Sequence, residues 1–237
     1  MITQITITVQ GGDDPIGDHG LHLEQYRHAT YRPEAYYLEG LRREPGSVCC
    51  NKAMGLLCLR KGDYEPAAAY FQTAVATLTQ RNPNPNDGEP YFYLGQALEG
   101  LGKDDEAYAA YYKSVWNAYC MDTGYFHLAR IAAKRKNWTE ALDLVNRALD
   151  RNQNHHKART LKTYLGIKLG GGNHLNAFMA ESLERDPFNI GVLFLDYSRT
   201  EDPGEREGKL QTIQARTIGN IHTYIEYALD LAAFGAY

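Results

Sequence analysis

Histidine, thiol and carboxylate side chains are where chemistry would begin in this sequence, and their spacing decides what they can do. His19, His22 and His28 lie near the front, and His155, His156 and His174 lie later. A zinc or similar site needs such ligands converging at set spacings. The adjacent His155 and His156 cannot share one helix face, and no carboxylate or cysteine stands at ligand spacing beside them, so no metal is expected. His22 and His28 read as packing or hydrogen-bonding members of a capping segment. Cys49, Cys50, Cys58 and Cys120 show no CxxC spacing and are expected as reduced thiols, outside any zinc or disulfide framework. Gly170-Gly171-Gly172 lacks the following Lys and Ser or Thr of a phosphate loop and reads as a connector between helices. Asp104-Asp105-Glu106 reads as a first helical turn, where negative charge suits the helix dipole. With no nucleophile beside a base and no paired catalytic carboxylates, the expectation is a chain that is not an enzyme and needs no cofactor.

The composition is that of an ordinary folded globular protein. Of 237 residues, 43% are apolar and 23% charged, which excludes a mainly disordered chain. The formal charge of -4 gives no overall basic excess toward nucleic acid or an anionic membrane. Met1 to Val9 has no basic region or continuous apolar stretch, and no 18-residue apolar run occurs, so neither a secretory signal nor a membrane span is expected, and the cytoplasm is the default location. Asn137-Trp138-Thr139 matches a glycosylation sequon but reads better as a helix start, with Asn137 at the N-cap and Glu140 three residues on.

The elements that must position any site come from an internal repeat. Leu94-Gly95, Gly102, Ala107 and Tyr111 recur 40 residues earlier as Met54-Gly55, Gly62, Ala67 and Phe71, and Leu128-Ala129 with Ala141 follow 34 residues later. Each copy predicts two antiparallel helices. Gly62 and Gly102 stand where the first helix must end with positive φ, and Asp63, Asp104 and Asn137 follow as N-caps of the second. Small residues at Gly55, Gly95 and Ala129 let the two helices approach closely, while Phe71 and Tyr111 fill the gap.

These residues resemble the tetratricopeptide repeat, a helix-turn-helix unit of about 34 residues. Its pattern of a small residue, Gly, Ala, an aromatic and Ala is met through Ala67, Ala107 and Ala141 and then Ala74, Ser114 and Ala148. The third copy departs at Lys136 and Val145, and a fourth keeps Gly170 but has Thr163 and Leu175 at the small positions. The resemblance implies an all-α fold, a right-handed α-solenoid of helical hairpins with a short β-like N-terminal extension. The expected divisions are an extension at 1–19, a capping lead-in at 20–47, hairpins over 48–187 (48–81, 88–121, 122–155 and 156–187), and a degenerate hairpin with a terminal half repeat at 188–237. Ile2, Ile5, Ile7 and Val9 give the β-like stretch, and the loop from Arg81 to Asp87 is an insertion at a repeat junction, read as a spacer.

A second resemblance rests on Gly20 to Pro33, Tyr36-Tyr37, Arg42-Arg43-Glu44-Pro45, Asn82 to Pro85, Asp87-Gly88-Glu89 and the Tyr108 to Asn117 segment. These are similar to the tetratricopeptide region of a family of long bacterial proteins, in which the repeats follow a large β-rich domain with a context in carbohydrate metabolism.

In solenoids of this kind the inner wall is formed by the first helices, and the resemblance therefore assigns the binding face to named positions. They include Lys52, Arg60, Phe92, Gln96, Phe126, Arg130, Lys134, Tyr164 and Lys168. Lys and Arg outnumber acidic residues there, Lys157 among them and Glu89 and Glu99 opposing, so the expected groove is basic with exposed aromatic anchors, suited to an acidic protein or peptide. Leu56 stands where a carboxylate clamp would need Asn beside Lys52, so side-chain capture along a segment is the expected mode. The sequence therefore reads as a noncatalytic scaffold for a protein or peptide partner, or for a neighbouring domain of a longer chain. The alternative is an accessory region of a carbohydrate-active protein contributing to a sugar site. Self-association through an open C-terminal helix face around Tyr224, Ile225 and Tyr227 is a further expectation, and nucleic acid is not expected.

Overall fold

The computed structural model describes residues 15–26, 32–80, 82–85, 87–116 and 118–236, with backbone alone at 15, 16 and 19. The β-like stretch from Ile2 to Val9, His28, and Arg81 and Asn86 of the junction loop lie outside the described residues. The chain divides into two compact units, 1–117 and 118–237. Among the described residues the regular elements are helical, and each unit is built from helical hairpins.

The first unit contains α1 (Pro15–Gln25), α2 (Pro33–Arg43), α3 (Val48–Lys61), α4 (Tyr64–Thr79), α5 (Glu89–Gly100) and α6 (Asp104–Ser114). Ser47 caps α3 by accepting from the Cys50 amide at 3.3 Å, and Gly62 ends it at φ +80°, as a left-handed cap requires. The α3–α4 and α5–α6 hairpins close through one device. A Cβ on Gly55 would lie 2.6 Å from the Phe71 ring, and one on Gly95 would lie 2.6 Å from the Tyr111 ring. Phe71, Tyr111, Ala67, Ala74 and Ala107 are fully buried in consequence, each aromatic ring contributing about 2–3 kcal/mol of burial. Asp63 stands at the N-cap of α4 with no side-chain hydrogen bond, and α6 starts at Asp104, so that Lys103 takes the cap position expected of the aspartate.

The lead-in segment is itself a hairpin. Pro15 opens α1 inside the stretch expected as an extension, and a Cβ on Gly20 would fall 2.4 Å from the fully buried ring of Tyr37 on α2. Tyr37 Oη donates to Glu24 at 3.1 Å; burial and that carboxylate push its phenol well above the usual range.

The second unit opens with a 3-10 turn at Ala118–Cys120 and contains α7 (Met121–Lys134), α8 (Trp138–Arg151), α9 (His156–Lys168), α10 (Gly172–Arg185), α11 (Ile190–Arg199), α12 (Pro203–Thr217) and α13 (Ile221–Ala233). Asn137 does precede α8, yet its side chain donates to Glu140 at 3.3 Å and caps no backbone amide. In the α9–α10 hairpin the close approach moves to Gly166, where a Cβ would meet Leu175 at 2.7 Å. Thr163, at the expected small position, turns its hydroxyl to the Arg159 carbonyl at 2.9 Å.

Arg159 is buried at the centre of this hairpin and donates to the Gln153 carbonyl at 2.7 Å, to Ser182 Oγ at 2.9 Å and to Glu181 at 3.2 Å. Asn189 ties α11 to α9. Its carbonyl oxygen accepts from the Val192 amide at 3.2 Å and from Thr160 Oγ1 at 3.0 Å, while its amide donates to the His156 carbonyl at 3.1 Å. Such full satisfaction is what makes a buried polar group tolerable.

Candidate functional site

In the first unit the expected binding positions lie on α3 and α5, and the chain itself occupies much of their chemistry. Lys52 Nζ sits 2.7 Å from Glu89 and 3.6 Å from Asp87. Burial pulls against its charge, but the Glu89 hydrogen bond and the two carboxylates prevail and raise its pKa. Asp87 also accepts from the Glu89 amide at 2.9 Å, so the end of the junction loop helps start α5. Arg60 pairs with Glu24 of α1 at 2.5 Å. Phe92 is half-buried against the Tyr93 and Tyr111 rings at 5.5 and 5.7 Å, Glu99 accepts from Tyr111 Oη at 2.9 Å, and Gln96 is half-buried beside them. Lys52 and Arg60 are thus countered by carboxylates within the unit, where a basic surface was expected. A shallow groove of about 500 Å³ lined by Leu41, Pro45, Asn51, Pro66, Tyr70 and Thr73 offers no charge. Its one amide, on Asn51, already donates to the Pro45 and Ser47 carbonyls.

In the second unit the expected positions lie on α7 and α9, and α13 lies against them. Phe126 and Tyr164 were expected as exposed anchors and are 4% and 5% exposed. The reason is Phe234, fully buried just past the end of α13, whose ring centroid lies 6.3 Å from that of Phe126 and 6.4 Å from that of Tyr164. His155 adds a ring 4.8 Å from Phe126, and Trp138 one 6.0 Å from Tyr164.

A carboxylate accompanies the ring. Asp230, one helical turn before Phe234, accepts from Lys157 Nζ at 2.8 Å. Gly235 follows at φ +72°, and a Cβ there would stand 3.3 Å from the Lys134 Cα, so the backbone itself approaches α7. Toward its start, α13 is held by Tyr227, packed on Ile190, Leu193 and Ile213 with Oη 3.4 Å from the Phe188 carbonyl, and by Tyr224 Oη 2.8 Å from Thr217 Oγ1. The C-terminal helix therefore reaches α7, α9 and α11 with one side, while Tyr224 and Ile225 of the expected open face stay exposed. Its outer side keeps Ile221, Ile225 and Leu229 exposed.

Around this contact the cations differ in exposure. Arg130 is half-buried, with Nη2 2.8 Å from His127 Nδ1 and its guanidinium 5.9 Å over the Phe126 ring. Lys134 and Lys168 are exposed, and Lys168 Nζ lies 5.3 Å over the Tyr164 ring. The structure brings together Phe126, Tyr164, Lys157, Asp230 and Phe234 and places Lys134 and Lys168 at the rim. Asp230 and Phe234 were missed from the sequence, although Phe234-Gly235 marks a helix end with a large apolar group beside it.

Among the described residues no three or more His, Cys, Asp or Glu converge as a metal site, and none of the four cysteines is joined in a disulfide. No helix is long and apolar enough to cross a membrane among them.

Residues 52–118 match the family model described as tetratricopeptide repeat. Among solved structures, Pseudomonas aeruginosa pilF superposes with a TM-score of 0.70 at 15% identity, over 92% of this chain and 96% of that one. YrrB, described as a TPR protein with an unusual peptide-binding site, gives 0.63 at 15% identity over 77% and 90%. A MamA structure gives 0.61 at 15% identity over 76% and 97%. Residues 52–118 therefore carry the tetratricopeptide match, and at these identities the structural likeness shows a helical-repeat fold alone.

Proposed function

We propose that the chain is a noncatalytic scaffold whose first-helix face in the second unit, formed by α7 and α9, binds an acidic protein or peptide segment with an aromatic anchor. The observation that carries this reading is the docking of Asp230 and Phe234 on that face. A carboxylate meets Lys157 and a ring enters between Phe126 and Tyr164. A buried aromatic anchor with a charged partner at its edge is the chemistry from which peptide grooves draw most of their energy. The repeat family and the peptide-binding site named for YrrB support the class of ligand. The cations Lys134, Lys157 and Lys168 on this face suit a carboxylate better than a neutral sugar ring and so favour the peptide reading over a sugar site. The resemblance to longer bacterial proteins makes a neighbouring domain of a longer chain one source of such a segment.

The test is selection of a displayed random-peptide library on the full chain. Enriched peptides should pair a carboxylate with an aromatic residue, and Lys134→Glu with Lys168→Glu should weaken them by about tenfold. Both lysines are exposed, so the variant retains its fold. Unchanged affinity in that variant, or enrichment without carboxylates and aromatics, overturns the reading.

A further inference from the structure

Phe126 and Tyr164 are groove positions by repeat register, yet their burial comes from outside the repeats, through a helix about 70 to 110 residues further along the chain. That helix, α13, has its own N-cap, since Asn220 accepts from the His222 amide at 3.0 Å. It therefore starts without help from the surface it covers. No residue within α13 is fully buried; besides Phe234, its anchors are the half-buried Tyr227, the hydroxyl of the exposed Tyr224 and the Asp230–Lys157 pair. The turn that aims it holds two successive residues at positive φ, Ile218 at +51° and Gly219 at +66°. A β-branched residue in that region is strained, and the Ile218 side chain is 89% exposed, so packing does not repay it. An element with few buried contacts beyond a strained turn belongs to the part of a fold that opens most readily.

We propose that α13 is the resident occupant of the α7–α9 face and that a partner binds by displacing it. The partner is an amphipathic helix carrying a carboxylate four residues before an aromatic ring, as Asp230 and Phe234 do. This rests on the binding reading above and adds its regulation and its recognition pattern. At i and i+4 the two groups share one side of a helix, which lets the carboxylate reach Lys157 while the ring enters between Phe126 and Tyr164. Tethering gives α13 a high effective concentration, so a foreign helix sees the face only in the fraction of molecules where α13 is away. The apparent affinity is divided by that fraction. Displacement also frees the anchoring side of α13 while Ile221, Ile225 and Leu229 are already exposed on the other.

The experiment uses a fluorescein-labelled peptide of residues 219–236 and fluorescence anisotropy on the full chain. Asp230→Ala with Phe234→Ala in the chain removes the two anchors on the α7–α9 face, keeps Tyr224 and Tyr227, and leaves the face itself intact. This chain should bind the peptide about tenfold or more tightly than wild type, and a peptide carrying the same two alanines should not bind. Equal affinity for the two chains overturns displacement whatever the library selection returns, and so does failure of the peptide to bind the variant.

A charge swap guards against a folding artefact. Hydrogen exchange of the 221–233 amides should accelerate in Lys157→Glu and return toward wild type when Asp230→Lys is added. Identical exchange in all three chains overturns the docking of α13 itself. A library selection that depends on Lys134 and Lys168, combined with equal peptide affinities, removes the displacement and leaves the binding reading standing.

Discussion

At the turn inside the third hairpin, Lys136 holds φ at +64° in the position where Gly62 and Gly102 stand in the first two. The hairpin geometry demands the left-handed conformation there whatever the residue, and a side chain with a Cβ pays for it in strain. Lys136→Gly is therefore expected to raise stability by about 0.5–1 kcal/mol after its own unfolded-state entropy is counted. A rise of a few degrees in thermal midpoint would show this, and a fall would mean that the lysine side chain has compensating contacts. The departure was visible in the sequence as a missing glycine, but its sign was not, because a lysine can equally signal a differently built turn. The same limit governs the site. Repeat register placed Lys52, Arg60, Phe126 and Tyr164 on first helices, yet Lys52 and Arg60 meet carboxylates and the two rings lie under Phe234. Register fixes which way a side chain leaves its helix and says nothing of what arrives from elsewhere.

Between the helices of a hairpin, closeness is set by one small residue facing one large one. In α5–α6 the Tyr111 ring is fully buried and tethered through its hydroxyl to Glu99, so it cannot yield to a Cβ at 2.6 Å. Gly95→Val should cost about 3 kcal/mol, read from urea unfolding; a cost below about 1 kcal/mol would mean that the helices separate easily. The first two repeats show this pairing in their sequence, whereas two other hairpins hide it. Gly20 meets Tyr37 at a spacing one residue longer than in the repeats, and Gly166 meets Leu175 at a shorter one, so neither matches the repeat's positions although both perform its physics.

The α9–α10 hairpin adds a polar centre that sequence reasoning missed, because Arg159 stands between Lys157 and Lys162 in a basic stretch, where nothing marks one cation as the buried one. Arg159→Ala should destabilise by about 3 kcal/mol through lost hydrogen bonds and an unfilled space. Arg159→Met should cost distinctly less, since Ser182 still donates to the Phe178 carbonyl at 2.7 Å and Glu181 keeps Arg185 at 2.8 Å. Equal losses in the two variants would place the energy in the charge network, outside the packing.

Across the whole molecule, the order of helices was legible because each repeat buries its apolar faces on sequence neighbours, so local pattern and tertiary contact coincide. The course of α13 was not legible for the opposite reason: its contacts with α7 and α9 join residues far apart in the chain, and an amphipathic pattern names the buried side without naming what covers it. One titrating group reports on that distant contact. His155 caps α9 by accepting from the Ala158 amide at 3.2 Å, which requires its Nδ1 unprotonated, and its ring lies 4.8 Å from that of Phe126. Burial pushes its pKa below the usual value, with His156 and Lys157 adding to the effect and Asp122 opposing it. In the unfolded chain the same imidazole takes up a proton near pH 6.5, so the unfolded state binds more protons as pH falls through that value. The contribution is present in full above pH 6.5 and is lost below it. Glu34, Glu39 and Glu181, each held below the usual carboxylate range by hydrogen bonds from Lys61, from Arg42 and Arg43, and from Arg185 and Arg159, act with the same sign at lower pH. Their contribution is present above about pH 4.5 and lost as pH falls further. Thermal midpoints should therefore fall in two steps on acidification. His155→Asn, which keeps a cap acceptor without a titrating ring, should remove the step below pH 6.5 and leave the lower one. Superimposable midpoint curves for the two chains between pH 7.5 and 5 would show that His155 is free to protonate in the fold, and with it that the ring cluster beneath Phe234 admits water.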